Sequence, residues 1–438
     1  MKTTRRIFIK TAAAPLFAAP FILPSRVWTL PPSNRKTMGF VGMGIQSKYL
    51  LSKFMPLTQV LGVCEVDTTR RNSSQKVVEK FYSDNPDKGA SDCKAYTDYR
   101  ELIERKDIDT ICIATPDHWH ALPVLLSLKT GKDVYCEKPL THNIQEAIDI
   151  MKAVDKHKRV LQTGSMQRSM KEFRVACEIV RNGCIGKIDH VECSFGGPPK
   201  PCDLPEEALE PGLDWNMWLG PAPMRSYNPI LSPRGVHNFY PKWRAYKEYG
   251  TGDVGDWGAH HLDIAQWGLG MDESGPVEIS FKNNEATLMY SNGVTVIQKN
   301  GFGIHFFGSD GEVMVNRGRI KVIIKGETIA SNDGEDGRST TCQAEVDKAE
   351  KLLLKDARIR LYDSPSHYED FLSCVVSRKK PVASEQIGGR TVISCHLVNQ
   401  LYFHNTPIKW DPVKFSFADG TGDPAWLTET ARDWKKSK

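Results

Sequence analysis

A glycine-rich turn near the start of the chain constrains the fold more than any other feature. The apolar residues 39–41 run into Gly42-Met43-Gly44, and the apolar spacing of a helix continues from Ile45 to Phe54. Gly42 permits a tight turn, and Gly44 allows the backbone to approach a diphosphate. Free N–H groups at the start of the helix favour bound negative charge. This strand, turn and helix therefore predict the first unit of a dinucleotide-binding domain.

An acidic residue stands where such a domain binds ribose. The apolar residues 60–64 form a second strand pattern, which ends at Glu65. A carboxylate at this spacing after the turn accepts hydrogen bonds from ribose hydroxyls and repels a 2′-phosphate. The pattern therefore favours a dinucleotide-binding site, with NAD as the cofactor. An ordinary glycine turn followed by a solvated acid is the alternative. Arg70 and Arg71 follow closely and leave NADP as the alternative cofactor.

Strand and helix patterns alternate from residue 36 to about residue 160. Predicted helices cover 67–82, 98–106, 118–129 and 144–157, and predicted strands cover 108–114, 133–136 and 160–162. Asn143 and Glu146 match the capping box of the last of these helices. Such alternation predicts a parallel, doubly wound sheet, which binds ligands beyond the carboxyl ends of its strands. Those ends are residues 42–46, Glu65, 115–119 and 137–139.

The second half of the chain has a different pattern. Short alternating strands from residue 277 to 326 are separated by Asn-, Gly- and Asp-containing turns, which are typical of hairpins. Further predicted elements are helices 170–182, 256–268, 367–377 and 387–404, and strand 188–195; a passage rich in Pro, Gly and Trp covers 196–252. The fold class is therefore α/β, with a Rossmann domain at 36–162. A second α/β domain, with an open, mostly antiparallel sheet, is expected at 163–438.

Residues 1–35 are predicted to be an export signal and a linker. Paired arginines at positions 5 and 6, with Phe8 and Lys10, precede an apolar run that is too short for a comfortable membrane span. This pattern is typical of a twin-arginine signal. We therefore expect a periplasmic or exported protein with no membrane span after signal removal. Because this route carries folded proteins, NAD is expected to bind before export and to stay bound.

Charge and cysteine content exclude several classes of protein. The chain has 438 residues, with 58 Lys and Arg against 53 Asp and Glu, and no basic block that would indicate a nucleic-acid partner. Eleven cysteines are present, but several lie in apolar strand patterns, and an odd number leaves at least one unpaired. Most are therefore expected to be buried small apolar residues rather than disulfides or metal ligands.

Two groups of residues carry candidate chemistry. Lys138 follows a strand end, where a lysine beside a cofactor can hold a substrate hydroxyl or take its proton; a surface lysine is the alternative. Asp256, His260 and Asp263 have the spacing of one helix face, which suits a carboxylate that orients an imidazole. A capping acid with a packed histidine is the alternative for this group.

Histidines and tryptophans are less informative. His118 and His120 are two positions apart at a helix start, point in different directions, and are not expected to bind metal. Five tryptophans in the middle of the chain could stack on a sugar or nicotinamide ring, or could serve packing alone. They are Trp215, Trp218, Trp243, Trp257 and Trp267.

Together these motifs resemble the Gfo/Idh/MocA family of oxidoreductases. The matching segments are Gly42-x-Gly44, Glu65, residues 114–120 (ATPDHWH), 136–139 (CEKP), 164–168 (GSMQR), 218–221 (WLGP) and 256–263 (DWGAHHLD). The resemblance implies a Rossmann domain followed by an open-sheet domain that often mediates homo-oligomers. It implies that Lys138 is catalytic, that Asp256 binds substrate, and that His260 is the catalytic acid/base. The peptide before Pro139 is often cis in the family.

The resemblance also implies the remaining site residues and the activity. The expected cofactor site comprises Gly42, Gly44, Ile45, Gln46, Glu65, Thr115, Pro116, His118, His120, Glu137 and Lys138. The expected substrate site comprises Lys138, Gln167, Arg168, Asp256 and His260, with Asp256 also counted as catalytic. The expected activity is NAD(H)-dependent oxidation or reduction of a sugar, polyol or glycoside. The alternatives are a glycosidase or lyase that oxidises the sugar transiently, and a noncatalytic sugar-binding protein.

Overall fold

The computed structural model describes residues 35–90, 92–333 and 342–434. All but the last residue of the predicted signal and linker lie outside the described residues, so their export role stays a prediction. No helix within the described ranges has the length and apolar character needed to span a membrane.

The first half of the chain forms a six-stranded sheet in which every pairing is parallel, as predicted. Its strands are β1 Thr37–Val41, β2 Gln59–Cys64, β3 Lys94–Tyr96, β4 Thr110–Ile113, β5 Asp133–Cys136 and β6 Leu161–Thr163. They lie in the order β3-β2-β1-β4-β5-β6. The accompanying helices are α1 Ile45–Phe54, α2 Thr68–Asp84, α3 Tyr99–Ile103, α4 Ala121–Lys129 and α5 Ile144–His157. Strands β4 and β5 are buried along their whole length because helices cover both faces.

Local sequence signals explain where these helices begin. Asp67 caps α2 by accepting a hydrogen bond from the N–H of Arg70, at 2.7 Å. Asn143 caps α5 in the same way through the N–H of Glu146, and the Glu146 carboxylate accepts from the N–H of His142. The predicted cap of α5 is therefore confirmed, and it satisfies N–H groups that the helix itself cannot pair.

The second half of the chain forms a ten-stranded sheet in the order β14-β13-β12-β11-β7-β10-β9-β8-β15-β16. Its strands are β7 Ile188–Cys193, β8 Pro276–Lys282, β9 Glu285–Tyr290, β10 Thr295–Gln298, β11 Ile304–Gly308, β12 Gly311–Asn316, β13 Arg319–Ile324, β14 Glu327–Asn332, β15 Ile408–Asp411 and β16 Ser416–Phe417. Among the described strands of this sheet, only β7 and β10 pair in parallel, so the predicted mostly antiparallel sheet is confirmed. The helices are α6 Lys171–Arg181, α7 Trp215–Leu219, α8 Gly252–Asp256, α9 Gly258–Leu269, α10 Gln343–Leu353, α11 His367–Ser377 and α12 Glu385–His404.

One predicted helix is divided in two. The segment expected as a single helix over 256–268 is instead α8 and α9, with Trp257 between them. Glycines at positions 252, 255 and 258 lower the helix propensity of this segment. Asp256 therefore ends one helix while His260 and Asp263 belong to the next, and the expectation of a continuous shared face was wrong.

Helix α11 packs against the first sheet although it lies late in the chain. Tyr368 and Phe371 contact Phe54 and Tyr135, with the Phe54 and Tyr368 ring centroids 5.2 Å apart. The last strand of the first sheet ends at Thr163 and the second sheet begins at Ile188, but the packing of α11 on the first sheet does not follow this sequence order. All eleven cysteines are free, and all but Cys184 and Cys202 are buried.

Candidate active site

A cavity of about 480 Å³ lies beyond the carboxyl ends of the parallel strands. Eleven of the predicted site residues line it: Gly42, Gly44, Ile45, Gln46, Glu65, Thr115, Pro116, Glu137, Lys138, Asp256 and His260. They come from four strand ends of the first sheet and from the junction of α8 and α9. The fold therefore brings the glycine turn and the candidate catalytic residues into the lining of one cavity.

The glycine turn forms the floor of this cavity. Gly42 has a φ of +83°, and a Cβ there would lie 2.9 Å from the carbonyl oxygen of Ala114. Only glycine tolerates both the positive φ and the close approach of the Ala114 carbonyl without strain. A Cβ at Gly44 would meet no atom within 4 Å, so the start of α1 faces open space. This open, N–H-rich surface fits the diphosphate of a dinucleotide.

Glu65 is held rigidly at the end of β2. Its Oε2 accepts from the N–H of Met43 at 2.8 Å, and its Oε1 accepts from the N–H of Asp67 at 3.1 Å. Each oxygen keeps further capacity to accept a ribose hydroxyl. The hydroxyl of Thr115, also in the cavity lining, is buried and has no hydrogen-bond partner among the described residues. The residues present thus fit a bound dinucleotide.

The two arginines that left NADP open are engaged elsewhere. The Arg70 guanidinium donates to the carbonyl of Pro233 at 2.7 Å and to the hydroxyl of Ser232 at 2.9 Å. Arg71 donates to the backbone carbonyl of Glu65 at 2.7 Å. Both are tied to protein acceptors, which makes them poor ligands for a 2′-phosphate.

Lys138 and Asp256 form the charged centre of the cavity. The Lys138 ammonium donates to the Asp256 carboxylate and, at 3.0 Å, to the Asp256 backbone carbonyl. Burial opposes ionisation of Asp256, but the charges of Lys138 and Arg244 outweigh it and lower the pKa of Asp256. The peptide between Lys138 and Pro139 is cis, as expected.

His260 presents a neutral imidazole beside this ion pair. Burial, reinforced by the positive charges of Lys138 and Arg317, holds the pKa of His260 well below its ordinary value. Its Nδ1 is buried and has no partner among the described residues. A buried polar atom of this kind needs a hydrogen bond, and a bound ligand could supply it.

Gln167 lies behind the cavity rather than in its lining. With its amide oriented to satisfy both neighbours, Gln167 donates to the backbone carbonyl of His260 at 3.2 Å. The same amide accepts from Nε of Arg317, also at 3.2 Å. Gln167 therefore positions two cavity residues, whereas direct substrate contact was expected.

Arg168 is not available to a substrate, contrary to expectation. Its side chain is 1% exposed, and the guanidinium pairs with Asp263 at 2.8 Å and Asp272 at 2.7 Å. Asp263 is equally buried and also accepts from the Thr391 hydroxyl. These residues join α9 to its neighbours, because a buried guanidinium must have its donors and charge satisfied.

His118 and His120 also lie outside the cavity lining, contrary to the expected cofactor contact. The ring nitrogens of His118 lie 3.3 and 3.1 Å from the carbonyl oxygens of Tyr249 and Trp218. Those of His120 lie 2.7 and 3.0 Å from the carbonyl oxygens of Pro139 and Thr115. His120 thereby supports two strand ends of the cavity. Within the described ranges, no cluster of three or more His, Cys, Asp or Glu residues could hold a metal ion.

A segment from the irregular middle of the chain forms part of the cavity wall. We call residues 231–244 the strap. Lys48 of α1 donates to the strap carbonyl of His237 at 2.6 Å, and the Tyr240 hydroxyl donates to Gln46 at 3.0 Å. Together with Arg70, these contacts fasten the strap to the dinucleotide-binding half. No periodic pattern in the sequence identified it.

Other cavity residues were also missed or left undecided by the sequence. Trp218, Trp243 and Trp257 line the cavity, whereas Trp215 and Trp267 serve packing. Arg244 from the strap and Arg317 from the turn between β12 and β13 also line it. The sequence alone does not single out Arg317, because an isolated arginine carries no pattern of its own.

Two family models match the chain. One, described as an oxidoreductase family with an NAD-binding Rossmann fold, matches residues 36–165. The other, described as the C-terminal alpha/beta domain of an oxidoreductase family, matches residues 200–436. Together they cover the first sheet, every strand of the second sheet except β7, and the predicted site residues that line the cavity.

Individual relatives are more distant. Inositol 2-dehydrogenase of Salmonella typhimurium is 31% identical over 153 residues, which are 34% of this chain and 42% of that protein. Glycosyl hydrolase family 109 protein 1 of Shewanella sp. MR-4 is 24% identical over 196 residues, 44% of this chain and 42% of that protein. The chain spans between 31% and 57% of the length of the first curated relatives that it matches. Aldose-aldose oxidoreductase from Caulobacter crescentus shares the fold at a TM-score of 0.56 and 14% identity, over 86% of this chain and 100% of that one.

Proposed function

The chain belongs to the Gfo/Idh/MocA oxidoreductase family, and from that premise we propose a specific activity. The protein transfers hydride between a hydroxyl carbon of a sugar, polyol or glycoside and a tightly held NAD. One observation carries this proposal: Lys138, Asp256 and His260 share a cavity with an open glycine turn that fits a diphosphate. The names of an inositol dehydrogenase and an aldose oxidoreductase among its relatives support this substrate class.

The chain's own residues would manage the proton and the charge of the reacting hydroxyl. A bound NAD supplies a hydride acceptor or donor at its nicotinamide ring. In the oxidation direction, the substrate O–H gives its proton to the neutral imidazole of His260. The Lys138 ammonium donates a hydrogen bond to the same oxygen and stabilises the negative charge that develops there. Asp256 holds Lys138 in place and accepts from neighbouring hydroxyls.

The cofactor is proposed to be NAD rather than NADP. The Glu65 carboxylate would repel a 2′-phosphate, and both nearby guanidinium groups are already bound to protein acceptors. The strap supports slow release of the cofactor, because its contacts to α1 and to Arg70 must open before a dinucleotide can leave. Retention of this kind suits an exported protein that acts where free NAD is scarce.

The low pKa of His260 has a consequence for pH dependence. A base whose pKa is lowered keeps its neutral, proton-accepting form to lower pH, so we expect less than a twofold change in the oxidation rate between pH 7.5 and pH 6. A histidine at its ordinary pKa would lose about threefold to fourfold over that range. Single-turnover reduction of bound NAD, followed by absorbance across this range, measures the difference. A fall that fits a pKa near the ordinary histidine value would contradict a neutral His260.

A second candidate function is a redox-cycling glycosidase. A relative named glycosyl hydrolase family 109 protein 1 matches part of the chain, and a retained cofactor suits a cycle with no net redox change. Such an enzyme would oxidise a glycoside, eliminate the aglycone and reduce the sugar again. Its first step would use Lys138 and His260 in the same way.

One experiment separates these functions. The full chain is purified without added nucleotide, its bound cofactor is identified by mass spectrometry, and its absorbance is followed after addition of sugars, polyols and glycosides. We expect bound NAD and a lasting appearance of the reduced-nicotinamide band with one of the substrates. Aglycone release without a lasting band would favour the glycosidase. A protein that binds no dinucleotide would contradict the proposal and favour a noncatalytic sugar-binding role.

We also propose an oligomeric state and a cellular location for the protein. Alternate residues of β11, β12 and β13 are only partly buried, so one face of the ten-stranded sheet is open to self-association, which supports a homo-oligomer. The arginine pair and apolar run near the start support twin-arginine export to the periplasm. The proposed partner is a small-molecule sugar or glycoside, with no nucleic acid involved.

A further inference from the structure

Two arginines flank the catalytic end of the cavity. Arg244 comes from the strap, and Arg317 comes from the turn between β12 and β13. The buried α6 residue Glu172 accepts a hydrogen bond from the N–H of Gly318 at 3.2 Å and so anchors that turn. Nε of Arg317 donates to Gln167, which fixes the direction of the guanidinium. Arg317 is therefore held in place by the fold.

Both guanidinium groups lie on aromatic rings. Arg244 lies 4.1 Å from the ring centroid of Trp243, and Arg317 lies 5.2 Å from that of Trp257. Trp257 is itself 41% exposed and lines the cavity. An aromatic ring covers the face of a guanidinium. The N–H groups on the guanidinium edge stay free to donate two hydrogen bonds to the oxygens of one anion.

The cations at this end of the cavity have few acidic partners within ion-pair distance. In the part of the chain that the structure describes, Asp256 is the one carboxylate within ion-pair distance of Lys138, and Nε of Arg244 lies 3.7 Å from the same oxygen. Glu137 accepts instead from Gln46 at 2.9 Å and from the N–H of Lys138, and burial raises the pKa of Glu137. Among the described residues, no carboxylate lies within ion-pair distance of Arg317.

An unbalanced guanidinium in a partly buried wall is costly unless something neutralises it. Burial lowers the pKa of Arg317 more than the nearby Asp256 and Glu137 raise it, so these acids compensate its charge only in part. Arg317 lines the cavity as well as covering Trp257. A ligand with negatively charged oxygens would satisfy both the free N–H groups and the charge.

We propose that the substrate is a sugar carrying an anionic group, a carboxylate or a phosphate, which Arg317 binds while Arg244 adds a second positive charge. This inference rests on the proposed function and narrows its substrate class. The anionic group would lie over Trp257, and Lys138 and His260 would act on a hydroxyl elsewhere on the ring. Arg317 is a specificity residue in this scheme, since it binds substrate without taking part in hydride transfer.

The test is ligand binding by the NAD-loaded full chain, measured by calorimetry. Three ligand sets are compared: glucose, glucuronate and glucose 6-phosphate; the matching galactose set; and the matching mannose set. At least one anionic member is expected to bind tenfold or more tightly than its neutral partner. The anionic group is identified by which derivative, the uronate or the phosphate, shows the larger increase in affinity over the neutral sugar. Equal or weaker binding of every anionic member would overturn the proposal.

Variants then test whether Arg317 is responsible for the preference for anionic sugars. Arg317→Met should remove at least tenfold of the affinity for the preferred anionic sugar and leave neutral-sugar affinity within twofold, and Arg317→Lys should restore part of the loss. Arg319→Met is the matched control, since Arg319 is two positions away but lies on Phe302 outside the cavity lining. A loss of NAD affinity in Arg317→Met, or an anion preference that survives it, would overturn the assignment. Because the readout is binding, failure of hydride transfer would appear separately, as no absorbance change in the wild-type protein.

Discussion

Replacement of Lys138 by methionine is expected to lower turnover about a thousandfold while NAD stays bound. The ammonium of Lys138 is the donor placed to stabilise charge on the reacting oxygen, and methionine has similar length without donor or charge. The glycine turn and Glu65, which are the proposed cofactor-binding groups, do not contact the Lys138 ammonium. Single-turnover absorbance measures the chemical step, and mass spectrometry measures bound NAD.

The control for this variant is Lys80→Met. Lys80 pairs with Asp84 on the surface of α2, at 2.8 Å, so the substitution removes the same type of ion pair far from the cavity. Its turnover should equal that of the wild-type protein. In Lys138→Met, Arg244 remains near Asp256, so thermal denaturation should show a folded protein. Turnover within tenfold of wild type would remove Lys138 from the proposed mechanism.

Replacement of Gly44 by valine is expected to abolish cofactor binding without unfolding the protein. Gly44 has extended backbone, with φ −75° and ψ −165°, which valine adopts readily, and a Cβ there meets no protein atom within 4 Å. The added methyl groups would occupy the space into which a diphosphate must fit. We expect NAD affinity to fall by about a hundredfold or more, equivalent to about 2.7 kcal/mol.

Gly197→Val is the matched control, because a Cβ at Gly197 also meets no atom within 4 Å and the residue lies outside the cavity lining. Both variants should melt close to the wild-type temperature when the proteins are compared without NAD. Gly42 is unsuitable for this test, since its positive φ and the nearby Ala114 carbonyl would make any side chain destabilising. Normal NAD affinity in Gly44→Val would mean that the dinucleotide does not bind against this turn.

The parts of the site that were predictable share one physical origin. Apolar strands of a parallel sheet end at one edge, so residues that follow those strands must meet there. Glu65, Thr115 and Lys138 all follow strands in this way, and all three line the cavity. His260 was predicted through its motif, although the single helix face proposed for it does not exist.

Three motif residues illustrate the opposite case. His118, His120 and Arg168 lie in the segments that carry the family resemblance, yet each is buried behind the cavity. Their nitrogens face backbone carbonyls or carboxylates, and so they shape the site from outside. A motif records that a residue is needed, but it does not distinguish contact with a ligand from support of a neighbour.

The sequence by itself determined the Rossmann sheet, its glycine turn and the strand-end residues, because these depend on local periodicity and on backbone demands that few residue types meet. Only the tertiary structure decided that the strap lines the cavity and bonds to α1, and that Arg244 and Arg317 share the cavity with Lys138 and Asp256. These arginines come from segments far apart along the chain, in a loop and at a hairpin turn. Their proximity results from the packing of the second sheet against the first, and no local pattern encodes it.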